Sequence, residues 1–263
     1  MVIAITGAGS GIGRALALEL SRRGARLALA DIDAARLEDT RAACSGPDAI
    51  SVTVLDVGDR SAVEDYAAAT AALFGRVDAV INCAGILHVG SVDASPVTDF
   101  DTVMRTNFFG TLHTTKAFLP HLRHSDRPAR IVTLSSALGL AAVAGHGPYA
   151  AAKFAIRGFT EALRADLTDT GIAVVGVYPG GIRTPIARAA LVAPGIDKPA
   201  IIARFERRVA RTDVHTAARV ILAGVERGTP RVLVGADARL ADLAARLAGP
   251  HYDRLIGLAA KFA

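Results

Sequence analysis

Seven short apolar runs, rich in β-branched residues, recur along the chain with segments of helix length between them. The runs cover residues 2–6, 26–31, 50–56, 77–82, 130–135, 173–178 and 231–235, and helix-length segments such as 11–24, 34–44 and 60–74 separate them. Strands that are apolar without alternation are buried on both faces, and strands separated by helices pair in parallel through crossover connections. The pattern predicts an α/β fold: a doubly wound parallel sheet of about seven strands with helices on both faces.

Residues 95–124 carry a longer helical pattern. Ser95 can cap its start and Pro96 fits its first position, while Pro120 should end or kink it. After Thr184 the alternation lapses over a stretch with three prolines, Pro185, Pro194 and Pro199. This insertion, about 185–212, reads as a mobile lid. A helix over 214–227 and the last strand restore the alternation. Two short amphipathic pieces, 237–247 and 252–262, follow and could cover the sheet's end, the active site or a neighbouring subunit. No repeat, low-complexity tract or linker interrupts the 263 residues, so a single domain is expected.

Composition narrows the function classes. No uncharged apolar run reaches the ~18 residues a membrane span needs, and the start MVIAITG reads as a buried strand, without the features of a signal peptide. Cys44 and Cys83 are too few for a disulfide framework and neither belongs to a metal-ligand spacing, so a cytoplasmic protein without a metal is expected. The formal charge of +5 is spread over single arginines. Arg204, Arg207, Arg208 and Arg211 cluster, either as a solvated helix face or as a contact for an acidic substrate. With no tryptophan and no interleaved surface aromatics, the chain lacks a nucleic-acid signature.

Two stretches carry chemistry. The first is TGAGSGIG, residues 6–13, between a strand and a helix. Gly7, Gly9, Gly11 and Gly13 permit a tight turn and close backbone approach, and the helix start offers unpaired N–H groups to a pyrophosphate. Asp31 ends the next strand, eighteen residues after Gly13. A carboxylate there accepts both hydroxyls of an adenosine ribose and repels a 2′-phosphate, which favours NAD over NADP. Ser10 and Ile32 add no cation for such a phosphate, and Arg14 and Arg36 read as facing solvent. Asp31 could also cap the following helix. The second stretch is Tyr149 with Lys153, one helical turn apart and on one face. A free phenol titrates near ~10, and a close ammonium favours its ionised form. Taken alone, the pair is also compatible with an ordinary surface contact.

Together these motifs resemble the short-chain dehydrogenase/reductase family, of the classical type, over residues 2–235. The resemblance rests on an ordered series: TGAGSGIG, Asp56–Val57, NCAG at 82–85, Asn107, Ser136, YAAAK at 149–153 and PGGIRT at 179–184. The thirteen-residue spacing to Tyr149 selects Ser136 over Ser135. Cys83 stands where the family often has a second asparagine, and Tyr178 where histidine is common.

The resemblance implies a Rossmann-type, NAD-binding catalytic domain that exchanges hydride between a nicotinamide and an alcohol or ketone. Tyr149 would be the general acid/base. Lys153 would lower its pKa and bind the nicotinamide ribose, Ser136 would orient the substrate oxygen, and Asn107 would hold a proton-relaying water. Gly7, Gly9, Ser10, Gly11, Ile12, Gly13, Asp31 and Ile32 would hold the adenosine and pyrophosphate. Asp56 and Val57 would flank the adenine, Asn82, Ala84 and Gly85 would line the cofactor's path, and Pro179, Gly180, Ile182 and Thr184 would enclose the nicotinamide.

Leu138, His146, Gly181 and Ile186 are the candidate substrate contacts, with Leu87, His88, Leu191, Val192 and Phe205 near them. Their mostly apolar character points to a small-molecule substrate that is a lipophilic ketone or secondary alcohol. A 3-oxoacyl-thioester reductase and a non-catalytic NAD-binding regulator remain alternatives. A homodimer or homotetramer is expected, built on the 149–168 helix and the long helix before it.

Overall fold

The computed structural model describes residues 1–123 and 128–252. The strands are β1 (Val2–Thr6), β2 (Arg26–Asp31), β3 (Ile50–Val54), β4 (Ala79–Asn82), β5 (His88–Val89), β6 (Ala129–Leu134), β7 (Ile172–Pro179), β8 (Leu191–Val192) and β9 (Arg231–Val234). Seven of them form one parallel sheet in the order β3-β2-β1-β4-β6-β7-β9. The helices are α1 (Gly11–Arg22), α2 (Ala34–Ala43), α3 (Arg60–Phe74), α4 (Val97–Val103), α5 (Gly110–Arg123), α6 (Gly147–Asp166), α7 (Lys198–Arg204), α8 (Val214–Glu226) and α9 (Ala236–Ala248).

Alternate residues of each central strand enter two separate cores, because successive side chains of a strand point to opposite faces. Ile3, Ile5, Leu27, Leu29, Ile81 and Val177 pack with α1 and α8 residues such as Leu16 and Ile221. Ala4, Ala28, Val80, Ile131 and Val174 pack on the other face with Tyr66, Phe118 and Leu163 from α3, α5 and α6. Both faces are thus covered, which explains why the strands read as unbroken apolar runs. The order reverses between β1 and β4, and loops at the carboxyl ends beside that switch collect the residues of interest.

Three expectations change. The 95–124 helix is three pieces: α4, a π-helical segment Met104–Phe109, and α5. Ser95 caps nothing; its hydroxyl donates back to the Ser91 carbonyl at 2.6 Å, and Pro96 sits at the N-cap position. Pro120 lies inside α5, which runs on to Arg123. Both Pro120 and Lys116, whose carbonyl loses its helical donor, are on the exposed face, where water can serve that carbonyl.

The lid segment has structure of its own. It contains α7, a second π-helical turn (Phe205–Val209) and β8, which pairs in parallel with β5. The arginines of this segment lie exposed, and Arg207 and Arg211 donate only to backbone carbonyls of their own stretch, those of Ala203 and Arg208. This is the solvated face. The amphipathic piece at 237–247 is part of α9; the one at 252–262 lies outside the described residues after Tyr252. No helix among the described residues is long and apolar enough to cross a membrane.

Candidate active site

The glycine loop joins β1 to α1 and lies flat against the end of β4. Gly7 takes φ +67°, and a Cβ there would stand 2.7 Å from the Ala84 backbone. A Cβ on Gly13 would meet the Gly7 carbonyl at 2.1 Å. The Thr6 hydroxyl accepts from the Cys83 N–H at 3.2 Å, tying the loop to residues 82–85. Asn82 is buried, and its amide donates to Thr115 Oγ1 and the Val132 carbonyl, both at 3.2 Å.

The start of α1 differs from its counterparts. Asp33, Asp59, Asp197 and Asp213 each accept a backbone N–H at the starts of α2, α3, α7 and α8. Ser10, the N-cap of α1, makes no such bond. The helix start, Ile12 included, is therefore left without a side-chain cap and keeps its partial positive charge. Thr184 closes in from the far side, 3.4 Å from where a Gly11 Cβ would be. A cleft of about 260 Å³ adjoins the loop, with Ser10, Arg14, Arg183, Pro185 and His215 on its walls.

Asp31 holds the loop as well as facing it. One carboxylate oxygen accepts the Gly9 N–H at 2.8 Å, and the other accepts the Asp33 N–H at 3.0 Å. Asp33, not Asp31, caps α2. Ile32 is exposed on the rim beside it. Arg36 stays nearby but pairs with Asp33 at 3.1 Å. Asp56 binds the Gly58 N–H and Arg105 Nη1, both at 2.8 Å. Burial raises its pKa, yet these two donors outweigh burial and hold the carboxyl below its ordinary value. Val57 beside it is buried in the α3–α5 core. The Arg105 contact joins residues from separate elements and has no local sequence signal.

Ser136, Tyr149 and Lys153 come together where β6 ends and α6 begins. The helix starts two residues before Tyr149, with Pro148 in its first turn. Ser135 and Ser136 divide the work: Ser135 Oγ donates to the Lys153 carbonyl at 2.7 Å, whereas the Ser136 hydroxyl lies on the Tyr149 side and draws the phenol's pKa down. Ser136 Oγ also accepts from the Leu138 N–H at 3.1 Å and approaches the Pro179 carbonyl at 3.5 Å. Lys153 Nζ donates to the Leu134 carbonyl at 2.9 Å and lies 5.4 Å from the Tyr149 ring centre. A Cβ on Gly85 would stand 3.0 Å from Asn107 Oδ1 and 3.5 Å from Lys153 Nζ, so all three residues meet at one point.

Asn107 sits in the π-helical segment, fully buried. Its Oδ1 accepts the Ile86 N–H at 2.7 Å and its Nδ2 donates to the Ile86 carbonyl at 3.0 Å. The side chain is thus engaged with the backbone beside Gly85.

Burial dominates the titration of the pair. It pushes the Tyr149 phenol up to about 12, with the nearby Ser136 hydroxyl pulling the other way, and it lowers the Lys153 ammonium to about 8. The Cys83 thiol is likewise raised to about 12 by burial and stays protonated.

An apolar cluster covers the Tyr149 side. Leu87, Val89, Tyr149, Ala187 and Ala190 form its buried part, with Leu138, Ile186, Val192 and Phe205 packed on it. His146 is half-buried at the edge, its Nδ1 3.2 Å from the Ala144 carbonyl, and burial lowers its pKa. His88 is fully buried in β5, with Nε2 2.8 Å from Asp99 Oδ2. Gly180 continues from β7 and Ile182 is buried against the α1–α8 core. Gly181, a candidate substrate contact, is buried and donates its N–H to Asp237 Oδ2 at 2.5 Å. Asp237 was not a candidate from the sequence, because it reaches 181 only through the β7–β9 pairing.

Sequence and structure comparisons agree on what this arrangement is. The short chain dehydrogenase family profile matches residues 1–192. SadH of Mycobacterium tuberculosis is 46% identical over 258 residues, which cover 97% of this chain and 93% of that protein. Levodione reductase of Leifsonia aquatica is 35% identical over 189 residues, 70% of each chain. A short-chain dehydrogenase/reductase from Burkholderia phymatum, solved with NAD, superposes with a TM-score of 0.84 at 28% identity over 94% of both chains. The chain belongs to the short-chain dehydrogenase/reductase family and is an oxidoreductase of that type.

Proposed function

We propose that this oxidoreductase uses NAD to interconvert a lipophilic secondary alcohol and its ketone. The observation that carries the reading is the buried meeting of Ser136, Tyr149 and Lys153 beneath an apolar cover. A dinucleotide suits the residues present. The uncapped start of α1 would take the pyrophosphate, residues 82–85 would leave the cofactor a close path, and the stretch from Pro179 to Thr184 would enclose the nicotinamide. Asp31 would receive the adenosine ribose with the lone pairs left after binding Gly9 and Asp33, which favours NAD. The NAD-bound structure of the Burkholderia relative supports this choice.

Bound nicotinamide supplies or accepts the hydride. The Ser136 hydroxyl holds the substrate oxygen, and Tyr149 gives that oxygen a proton in reduction or takes one from the alcohol in oxidation. Because burial keeps the phenol protonated at neutral pH, Tyr149 is set up first as the acid; its service as a base depends on nearby positive charge. Lys153 supplies such a charge below its own pKa of about 8. Asn107 holds the Ile86 backbone and so fixes Gly85 beside Lys153. Leu138, Ile186 and the lid residues exclude water from the apolar part of the substrate. The protein acts as a homodimer or homotetramer.

The test is NADH formation from a panel of secondary alcohols, small to steroid-sized, run with NAD and NADP in parallel. Turnover is expected with NAD on bulky apolar alcohols. Tyr149→Phe should lower kcat roughly 10²–10⁴-fold, the usual weight of a positioned acid/base, and leave NADH binding in place. Unchanged turnover in that variant would remove Tyr149 from the mechanism, and equal use of both cofactors would remove Asp31 as the selector.

A further inference from the structure

The chain beyond β9 returns to the two loops that flank Ser136 and Tyr149. At the start of α9, Asp237 Oδ2 accepts the Gly181 N–H at 2.5 Å, and its other oxygen accepts the Ala238 N–H at 3.0 Å. The fit around this carboxylate is close: a Cβ on Gly180 would lie 2.0 Å from it, and a Cβ on Gly235 would lie 2.5 Å away. On its other side Gly181 is backed by the Val209 carbonyl, 1.9 Å from where a Cβ would be. Past the end of α9, the Tyr252 hydroxyl accepts the Ala142 N–H at 3.1 Å. Ala142 belongs to the loop between Ser136 and Tyr149. Between these two contacts, α9 packs on Ala137–Gly139, the turn that follows Ser136.

The helix making these contacts is itself anchored. Asp242, almost fully buried, accepts from Arg231 Nη1 at 2.6 Å and pairs with Arg246 Nε at 2.9 Å. Arg231 also reaches Glu161 on α6 at 3.0 Å. A helix tied to β9 through a part-buried ion pair, with β9 in turn linked to α6, is a firm support for whatever its ends hold.

We propose that residues 236–252 form a clamp that sets the geometry of the active site. Asp237 positions the backbone after β7, on the nicotinamide side, and Tyr252 positions the 140–146 loop, on the substrate side. Neither touches the reacting atoms; both are positioning residues. The assignment of the two sides rests on the proposed dehydrogenase reading.

Asp237→Ala, Asp237→Asn and Tyr252→Phe in the full chain test it by hydrogen–deuterium exchange, NADH titration and kinetics with the best alcohol of the panel. Asp237→Ala should speed exchange over 180–184 and weaken NADH binding about tenfold, the weight of one charge-assisted hydrogen bond. Asp237→Asn keeps an acceptor and should restore both. Tyr252→Phe should speed exchange over 140–146 and raise KM about tenfold on the same scale, with kcat and NADH affinity held. If exchange over both loops is unchanged in Asp237→Ala and Tyr252→Phe, the clamp is refuted. Faster exchange with unaltered NADH affinity and KM would also refute it as a positioning device. Absence of turnover on every alcohol would count against the dehydrogenase reading alone, because exchange and NADH titration still decide the clamp.

Discussion

Lys153 shows the cost of placing a charge where chemistry needs it. Its ammonium is buried with the Leu134 carbonyl as acceptor, and burial lowers its pKa to about 8 from an ordinary 10.5. Between those values the unfolded chain holds the proton and the native chain releases it, so stability rises with pH across that window. Below it both states are protonated and the native state carries a penalty of about 3 kcal/mol. Urea unfolding of wild type and Lys153→Met at pH 7 and pH 10 should show the difference between them moving toward wild type by nearly that amount. A difference that stays constant with pH would mean that the ammonium is not desolvated in the native state. Burial raises the pKa of Tyr149, so the two groups are pushed toward their neutral forms together. Local spacing identified the pair; the direction in which the phenol shifts came from its surroundings.

At the scale of elements, the π-helical segment is the feature that periodicity could not reveal. It inserts an extra residue per turn into what otherwise reads as one helix from 95 to 124, and it aims Asn107 at the Ile86 backbone. Asn107→Ala should destabilise the fold by about 1–3 kcal/mol, because the Ile86 N–H and C=O lose their partners in a site closed to water. The urea midpoint should fall with an unchanged slope. A loss confined to activity, with the midpoint preserved, would point to a role for Asn107 in proton relay rather than in holding the fold. Pro120 makes the related point. Its effect depended on which side of α5 faced water, a fact settled by packing against α3 and β4.

At the scale of the molecule, one aromatic group stands out among the described residues as uncovered. Phe108 stacks edge-to-face with both Phe109 and Phe159, joining the π-helical segment to α6, and Phe109 is 43% exposed. On α6, Ala151 and Gly158 are exposed, and a Cβ on Gly158 would meet nothing within 4 Å. This small-residue face beside an exposed ring is where the proposed two-fold contact would form. Light scattering should give two or four times the 27.2 kDa chain mass, and Phe109→Glu should reduce it. A chain mass equal to the monomer in wild type would overturn the assembly.

The order of residues along the chain was enough to determine the parallel sheet, because burial on both faces leaves unbroken apolar strands. It also pointed to the glycine loop and the Tyr149–Lys153 pair, since each depends on spacing within one or two neighbouring elements, while Ser136 followed from the family resemblance. Only the tertiary structure decided what those residues touch. Asp31 shares its carboxylate with Gly9, Arg105 engages Asp56, and the lid gains a strand by pairing with β5. Asp237 and Tyr252 reach the active-site loops from the far end of the chain. These contacts join positions tens of residues apart, and the residues making them carry no periodicity or local partner; they exist because the sheet order brings separate loops to one edge.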